Sequence, residues 1–201
     1  MPGEQAKRSK RIIVGVSGAS GVIYGVRLLE VMKKLGIETH LIMTPASKIT
    51  IASETDYSPA EVERLASKVY RINDIAATLS SGSFPVDAMV IIPCSMHTLG
   101  AMASGFADNL LVRAAEVTMK ERRPLIVVPR ETPMTLIHLE NMVKVARAGA
   151  IVVPAMPAFY QRPKTIDELI DHLVGKVLDL LGIEEHNLFK RWSGLGASEG
   201  P

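Results

Sequence analysis

A chain of 201 residues with 47% hydrophobic content is long enough to fill one domain core. A formal net charge of +2 excludes the broad basic surface of a nucleic-acid binder, and a single cysteine, Cys94, excludes an intrachain disulfide. No apolar run reaches the roughly 18 residues of a membrane span, and the first residues lack a signal-peptide core, so the expectation is a cytoplasmic protein with neither membrane nor nucleic-acid partners.

Residues 1–10 carry Lys7, Arg8 and Lys10 and read as a flexible N-terminal extension. Arg11 to Ser17 is a short β-branched apolar run and predicts a buried strand. Gly18 to Gly21 is a tight turn. Val22 to Leu35 has helical periodicity through Val22, Val26, Leu29 and Met32, and Gly36 ends it. Thr39 to Met43 predicts a second strand. Short helices are expected over 46–52 and 59–68, then a loop from Asn73 to Pro85.

Ala88 to Ile92 is the strongest strand signal. Helix follows over 99–120 with a break near 105–108. Strands are predicted at 125–128 and 150–153, and helices at 135–147 and 166–181. Residues 193–201 are small and polar and read as a disordered tail.

Strand and helix alternate, and the strands are continuous apolar runs rather than alternating ones. That pattern marks a parallel sheet covered on both faces. The expected fold is a single α/β domain over 11–192, a doubly wound Rossmann- or flavodoxin-like parallel sheet of about six strands.

In such sheets, ligands bind outside the carboxyl ends of the strands. Arg130 and Glu131 stand where the 125–128 strand stops, so the pair can bind an anion and donate a proton to it. The Gly18-Ala19-Ser20-Gly21 turn points N–H groups at a helix start, which suits a phosphate, with Ser20 as a further donor. The same turn also serves as a plain helix cap. The spacing is not G-x-G-x-x-G, and Thr44 rather than an acid follows the second strand. Both departures favour a mononucleotide such as a flavin over a dinucleotide.

Ser95 and Thr98, in Pro93-Cys94-Ser95-Met96-His97-Thr98, can cap the next helix and bond a flavin or phosphate, and His97 can offer its backbone. Cys94 reads as a small buried hydrophobe. Glu54 stands at a loop start, as a proton relay or an ordinary turn carboxylate. Tyr160 follows the last strand and offers a hydroxyl to an anion. Lys176, in the last helix, reads in isolation as a solvated charge. Trp192 is the only tryptophan, beside Lys190 and Arg191, and reads as packing on the body or on a neighbouring subunit. His40, His138, His172 and His186 show no metal-ligand spacing, and no metal site is expected.

Taken in order, V-G-V-S-G-A-S-G (14–21), E-T-D (54–56), D-A-M-V-I-I-P-C-S-M-H-T-L (87–99), K-E-R-R-P-L-I-V-V-P-R-E-T-P (120–133), H-L-E-N-M (138–142), P-A-F-Y (157–160) and R-W (191–192) resemble the UbiX-type flavin prenyltransferases. The resemblance spans Arg11 to Trp192. It implies metal-independent transfer of dimethylallyl from dimethylallyl monophosphate to N5 of reduced FMN, with ring closure at C6. FMN is then a substrate, and the product, prenylated FMN, serves UbiD-type decarboxylases. It also implies a homododecamer with sites at subunit interfaces. The aspartate-rich motif of magnesium-dependent prenyl enzymes is absent.

By the same resemblance, Lys120, Arg130, Tyr160 and Lys176 would hold the prenyl phosphate, and Glu131 would protonate it as it leaves. Trp192 would flank an allylic cation. Ser20 and Glu54 would manage proton removal during ring closure. Gly18, Ala19, Ser20, Thr44, Ser95, Met96, His97, Thr98 and Arg130 would contact FMN. The alternatives are an FMN-dependent cysteine-type decarboxylase of the same wider family, or a non-catalytic flavin-binding subunit. Those decarboxylases carry P-x-M-N-x-x-M-W and A-N-T segments, where this chain has P-A-M-P-A-F-Y and S-M-H-T.

Overall fold

Six segments of this chain pair into one all-parallel sheet: β1 (Arg11–Val16), β2 (Glu38–Met43), β3 (Lys68–Tyr70), β4 (Ala88–Cys94), β5 (Leu125–Pro129) and β6 (Ile151–Val152). The computed structural model describes residues 9–191 and residue 194. The strand order is β3-β2-β1-β4-β5-β6, the 3-2-1-4-5-6 order of a doubly wound sheet. The helices are α1 (Val22–Lys34), α2 (Pro45–Glu54), α3 (Pro59–Glu63), α4 (Met96–Ser104), α5 (Leu110–Lys120), α6 (Leu136–Arg147) and α7 (Ile166–Leu180).

Both faces of the sheet are covered because its strands are apolar on both. Every residue of β4 is buried. A Cβ added at Gly15 would meet Leu111 of α5 and Ile91, whereas one at Gly25 of α1 would meet the Ile92 carbonyl and Val16. Neighbouring strand residues point to opposite faces, so α1 and α5 lie on opposite sides of the sheet. Val22, Val26, Leu29 and Met32 form the predicted stripe of α1, each at most 1% exposed. Burial of each such side chain stabilises the fold by roughly 1.5–3 kcal/mol.

Several elements differ from the sequence expectation, and α4 starts at Met96, three residues before the predicted 99. The helix predicted over 59–68 stops at Glu63, and Lys68–Tyr70 becomes the edge strand β3. Three residues give no periodicity to read. α2 runs to Glu54, past the predicted end at residue 52, so Glu54 closes a helix instead of opening a loop. β4 continues through Pro93 to Cys94, which buries both residues.

The described residues divide into two compact units, with the boundary between Ala155 and Met156. The first holds the sheet with α1 to α6. The second contains α7, whose N-cap Thr165 accepts a hydrogen bond from the Glu168 amide. Among the described residues, no helix is long and apolar enough to cross a membrane.

Candidate active site

Chain order reverses direction between β1 and β4: β2 and β3 lie on one side, β5 and β6 on the other. The loops that leave the carboxyl ends of β1 and β4 therefore run to opposite faces of the sheet, and the crevice between them is the place where doubly wound sheets hold ligands. The loop Ser17 to Gly21 follows β1, and Ser95 follows β4. Thr44 follows β2, and Arg130 and Glu131 follow β5. All these predicted positions share one edge of the first unit.

Ser17 holds the crevice together. Its hydroxyl is fully buried, donates to the Pro93 carbonyl at 2.9 Å and accepts from the Ser95 amide at 2.6 Å. β1 is thereby clipped to the end of β4 and to the start of α4. Ser95 is the N-cap of α4 and accepts from the Thr98 amide at 3.3 Å. The Met96 and His97 amides belong to the first turn, which has no intrahelical acceptors for its N–H groups. Their N–H groups can serve a bound anion.

Gly18 has a steric reason. A Cβ there would sit 2.3 Å from the Cβ of Ala46, in the first turn of α2. Only glycine lets the loop approach so closely. Thr44 caps α2 by accepting from the Ser47 amide at 3.1 Å, and its own hydroxyl proton can still be donated. Ala19 is buried, while Ser20 is partly open at the crevice. The Glu54 carboxylate, at the far end of α2, accepts from the Gly21 amide at 2.8 Å. This contact brings Glu54 back to the loop that carries Ser20.

Arg130 is exposed, and its amide donates to the Cys94 carbonyl at 3.2 Å. Glu131 is half-buried and accepts from the Thr132 amide at 3.0 Å. Tyr24, on the first turn of α1, faces the same place: burial pushes its phenol above the ordinary value, and the Arg130 cation partly opposes that. Burial likewise pushes the Cys94 thiol far up, which keeps it protonated and fits its reading as a buried hydrophobe.

Lys120 is not with the others. It is the last residue of α5, and that helix returns to the amino-terminal edge of the sheet before β5 begins. There it pairs with Glu121 and lies beside Gly82. The whole of β5 separates it from Arg130, roughly 16 Å at about 3.3 Å per residue.

Tyr160 and Lys176 belong to the second unit. The Tyr160 hydroxyl is 2.8 Å from Nε2 of His172, one helical turn before Lys176. Trp192 lies outside the described residues.

Sequence reasoning missed Ser17 and Tyr24. Ser17 reads as the end of a strand, and its signal was a hydroxyl closing an apolar run. Tyr24 stands in a helix whose apolar periodicity hides it. In a chain with only 4% aromatic residues, a tyrosine one turn past a glycine loop was the available signal.

The family model described as Flavoprotein matches residues 2–178. A probable UbiX-like flavin prenyltransferase of Bacillus subtilis (strain 168) is 48% identical over 190 residues, 94% of this chain and 93% of that protein. Among solved structures, one described as AnUbiX (PadA1) in complex with FMN and dimethylallyl pyrophosphate superposes with a TM-score of 0.91 at 49% identity, covering 93% of this chain and 99% of that one. A dodecameric FMN-dependent UbiX-like decarboxylase from Escherichia coli O157:H7 gives 0.89 at 48% identity, covering 92% and 100%.

Proposed function

This chain belongs to the flavoprotein family, with the UbiX-type flavin prenyltransferases, and on that premise we propose that it moves a dimethylallyl group from dimethylallyl monophosphate to N5 of reduced FMN, then closes a ring at C6. The observation that carries the reading is Arg130 and Glu131 together at the end of β5, on the edge that also holds the Ser17–Gly21 loop.

FMN fits the crevice by the chemistry of its lining. Gly18 admits close backbone approach, the first turn of α4 offers amide donors, and Thr44, Ser95 and Thr98 offer hydroxyls. Gly18, Ala19, Ser20, Met96, His97 and Arg130 complete the proposed contacts. The flavin supplies the nucleophilic N5 and the C6 ring carbon. The chain supplies the electrostatics.

The allylic C–O bond breaks with its electron pair left on phosphate. A monophosphate is a poor leaving group, so fixed cations must meet the developing charge. Arg130 offers a two-pronged donor and Lys120 and Lys176 point charges, with the Tyr160 hydroxyl as a further donor. Glu131 gives the departing phosphate a proton. Trp192 flanks the allylic cation, an attraction worth on the order of 1–2 kcal/mol when desolvated. Ring closure consumes the prenyl double bond: a proton adds to it, C6 bonds the resulting tertiary carbon, and Glu54, steadied by the Gly21 amide, takes with Ser20 the proton that C6 gives up.

Within one copy, Lys120 and Arg130 sit at opposite sheet edges, so a site that uses both draws Lys120 from a neighbouring copy. A homododecamer, the assembly named for the Escherichia coli neighbour, supplies such neighbours. The product goes to a UbiD-type decarboxylase. Activation of that apo-decarboxylase by extract from the completed reaction tests the reading, and an inactive decarboxylase counts against it.

A further inference from the structure

The second unit contains an ordered stack of rings, of which the proposed chemistry uses only Tyr160. The Tyr160 hydroxyl and His172 Nε2 are 2.8 Å apart, and the two rings meet edge to face at 5.3 Å between centroids and 82°. Phe189 lies behind His172 at 5.0 Å, and His186 lies against Phe189 at 5.5 Å. His186 Nε2 bonds Asp179 Oδ1 at 3.0 Å, and Arg191 donates to the same oxygen at 2.8 Å. A Cβ on Gly175 would come within 2.4 Å of the Phe189 ring, so the glycine makes room for this stack on α7.

The order of the stack matters because Tyr160 is 52% exposed. A half-exposed phenol on a loop explores several directions, and fixing a side chain before the ligand arrives removes part of the entropic cost of binding. His172 is fixed by Phe189 and by its place on α7. Burial, reinforced by the Lys176 ammonium one turn further along, lowers the imidazole from its ordinary value and favours its neutral form. A neutral imidazole has one N–H and one lone pair, so it can either donate to the Tyr160 oxygen or accept from it. When Nε2 carries the hydrogen, the Tyr160 oxygen accepts it, and the phenol's own proton can be given to another acceptor such as an anion.

We propose that His172 is a positioning residue for the prenyl phosphate: its Nε2, 2.8 Å from the Tyr160 hydroxyl, aims that hydroxyl at the phosphate that Lys176 also serves. The proposal rests on the reading of Tyr160 and Lys176 as phosphate ligands. In this role His172 acts only through the Tyr160 hydroxyl that it bonds.

Steady-state kinetics on the full-length protein with reduced FMN and dimethylallyl monophosphate test it, using H172F, H172Q, Y160F and the H172F/Y160F pair. A lost neutral hydrogen bond predicts that H172F raises KM for the prenyl phosphate roughly three- to tenfold. KM for FMN stays put, and H172Q, whose amide can still bond the phenol, recovers most of the loss. The double variant is no worse than Y160F alone. H172F with an unchanged prenyl-phosphate KM, beside an impaired Y160F, overturns the role of His172 and leaves the phosphate reading standing. Y160F with an unchanged KM overturns the phosphate reading, and the proposal with it. Equal rises in both KM values, without recovery by H172Q, assign His172 to folding and overturn the proposal.

Discussion

The Gly21 amide donates to the Glu54 carboxylate at 2.8 Å, which ties the N-cap of α1 to the last residue of α2. The two residues are 33 apart in sequence, and the contact turns a helix-end acid back toward Ser20. Glu54→Gln preserves an acceptor for the Gly21 amide but removes the base. The expected result is normal FMN binding, with a flavin carrying one C5 unit and no new ring, read by absorbance and NMR of the extracted flavin. Wild-type rates of ring closure in this variant contradict the relay role.

Lys120 and Arg130 at opposite sheet edges make a prediction about assemblies. Lys120→Ala abolishes prenyl transfer and leaves FMN bound, and Arg130→Ala alone is also inactive. Subunits of the two variants, dissociated and reassembled together, regain a fraction of activity because some sites receive both native residues. Mixed assemblies, verified by native mass spectrometry, that stay inactive contradict a shared site.

Ser17 is fully buried, so Ser17→Ala leaves the Ser95 amide without its acceptor, while the Pro93 carbonyl keeps its bond from the Ser17 amide at 3.2 Å. Orphaning a buried polar group costs about 1–3 kcal/mol. The urea midpoint drops accordingly, and FMN binds more weakly because the start of α4 is released. An unchanged midpoint and unchanged flavin affinity argue against the clip.

His40 gives a pH prediction. It is 2% exposed, shares a hydrogen bond with the Tyr70 hydroxyl at 2.8 Å, and lies 2.8 Å from Glu38, with Arg11 and Lys68 the nearby cations. Burial lowers its pKa, and the Glu38 hydrogen bond partly opposes that. With a folded value below the unfolded value of about 6.5, the unfolded chain binds the extra proton first. This contribution to stability is complete above about pH 6.5 and is lost as pH falls through the folded value. Glu38, held low by its hydrogen bond from Arg11 and further by His40, loses its own share at more acid pH. Urea midpoints at pH 8, 6.5 and 5.5 therefore fall for the wild type and fall less for His40→Gln. Equal slopes for the two proteins remove His40 as the cause.

What the sequence made legible follows from period and position. Continuous apolar runs mark five of the six strands, and Arg130 and Glu131 declare themselves by following one of them. The edge strand β3 is hidden because Lys68–Tyr70 is too short for a period and only Tyr70 is buried. The contact of Glu54 with the Gly21 amide is a pairing across 33 residues that no local pattern encodes. Lys120 looks close to Arg130 in sequence, yet an intervening strand carries the chain across the sheet. Ten residues of separation conceal a change of edge.

Prenyl transfer to FMN is read by incubating the protein anaerobically with dithionite-reduced FMN and dimethylallyl monophosphate, then weighing the extracted flavin by mass spectrometry. The expected product is a flavin heavier by one C5 prenyl unit. Unmodified FMN, under conditions where both substrates are shown to bind, contradicts it.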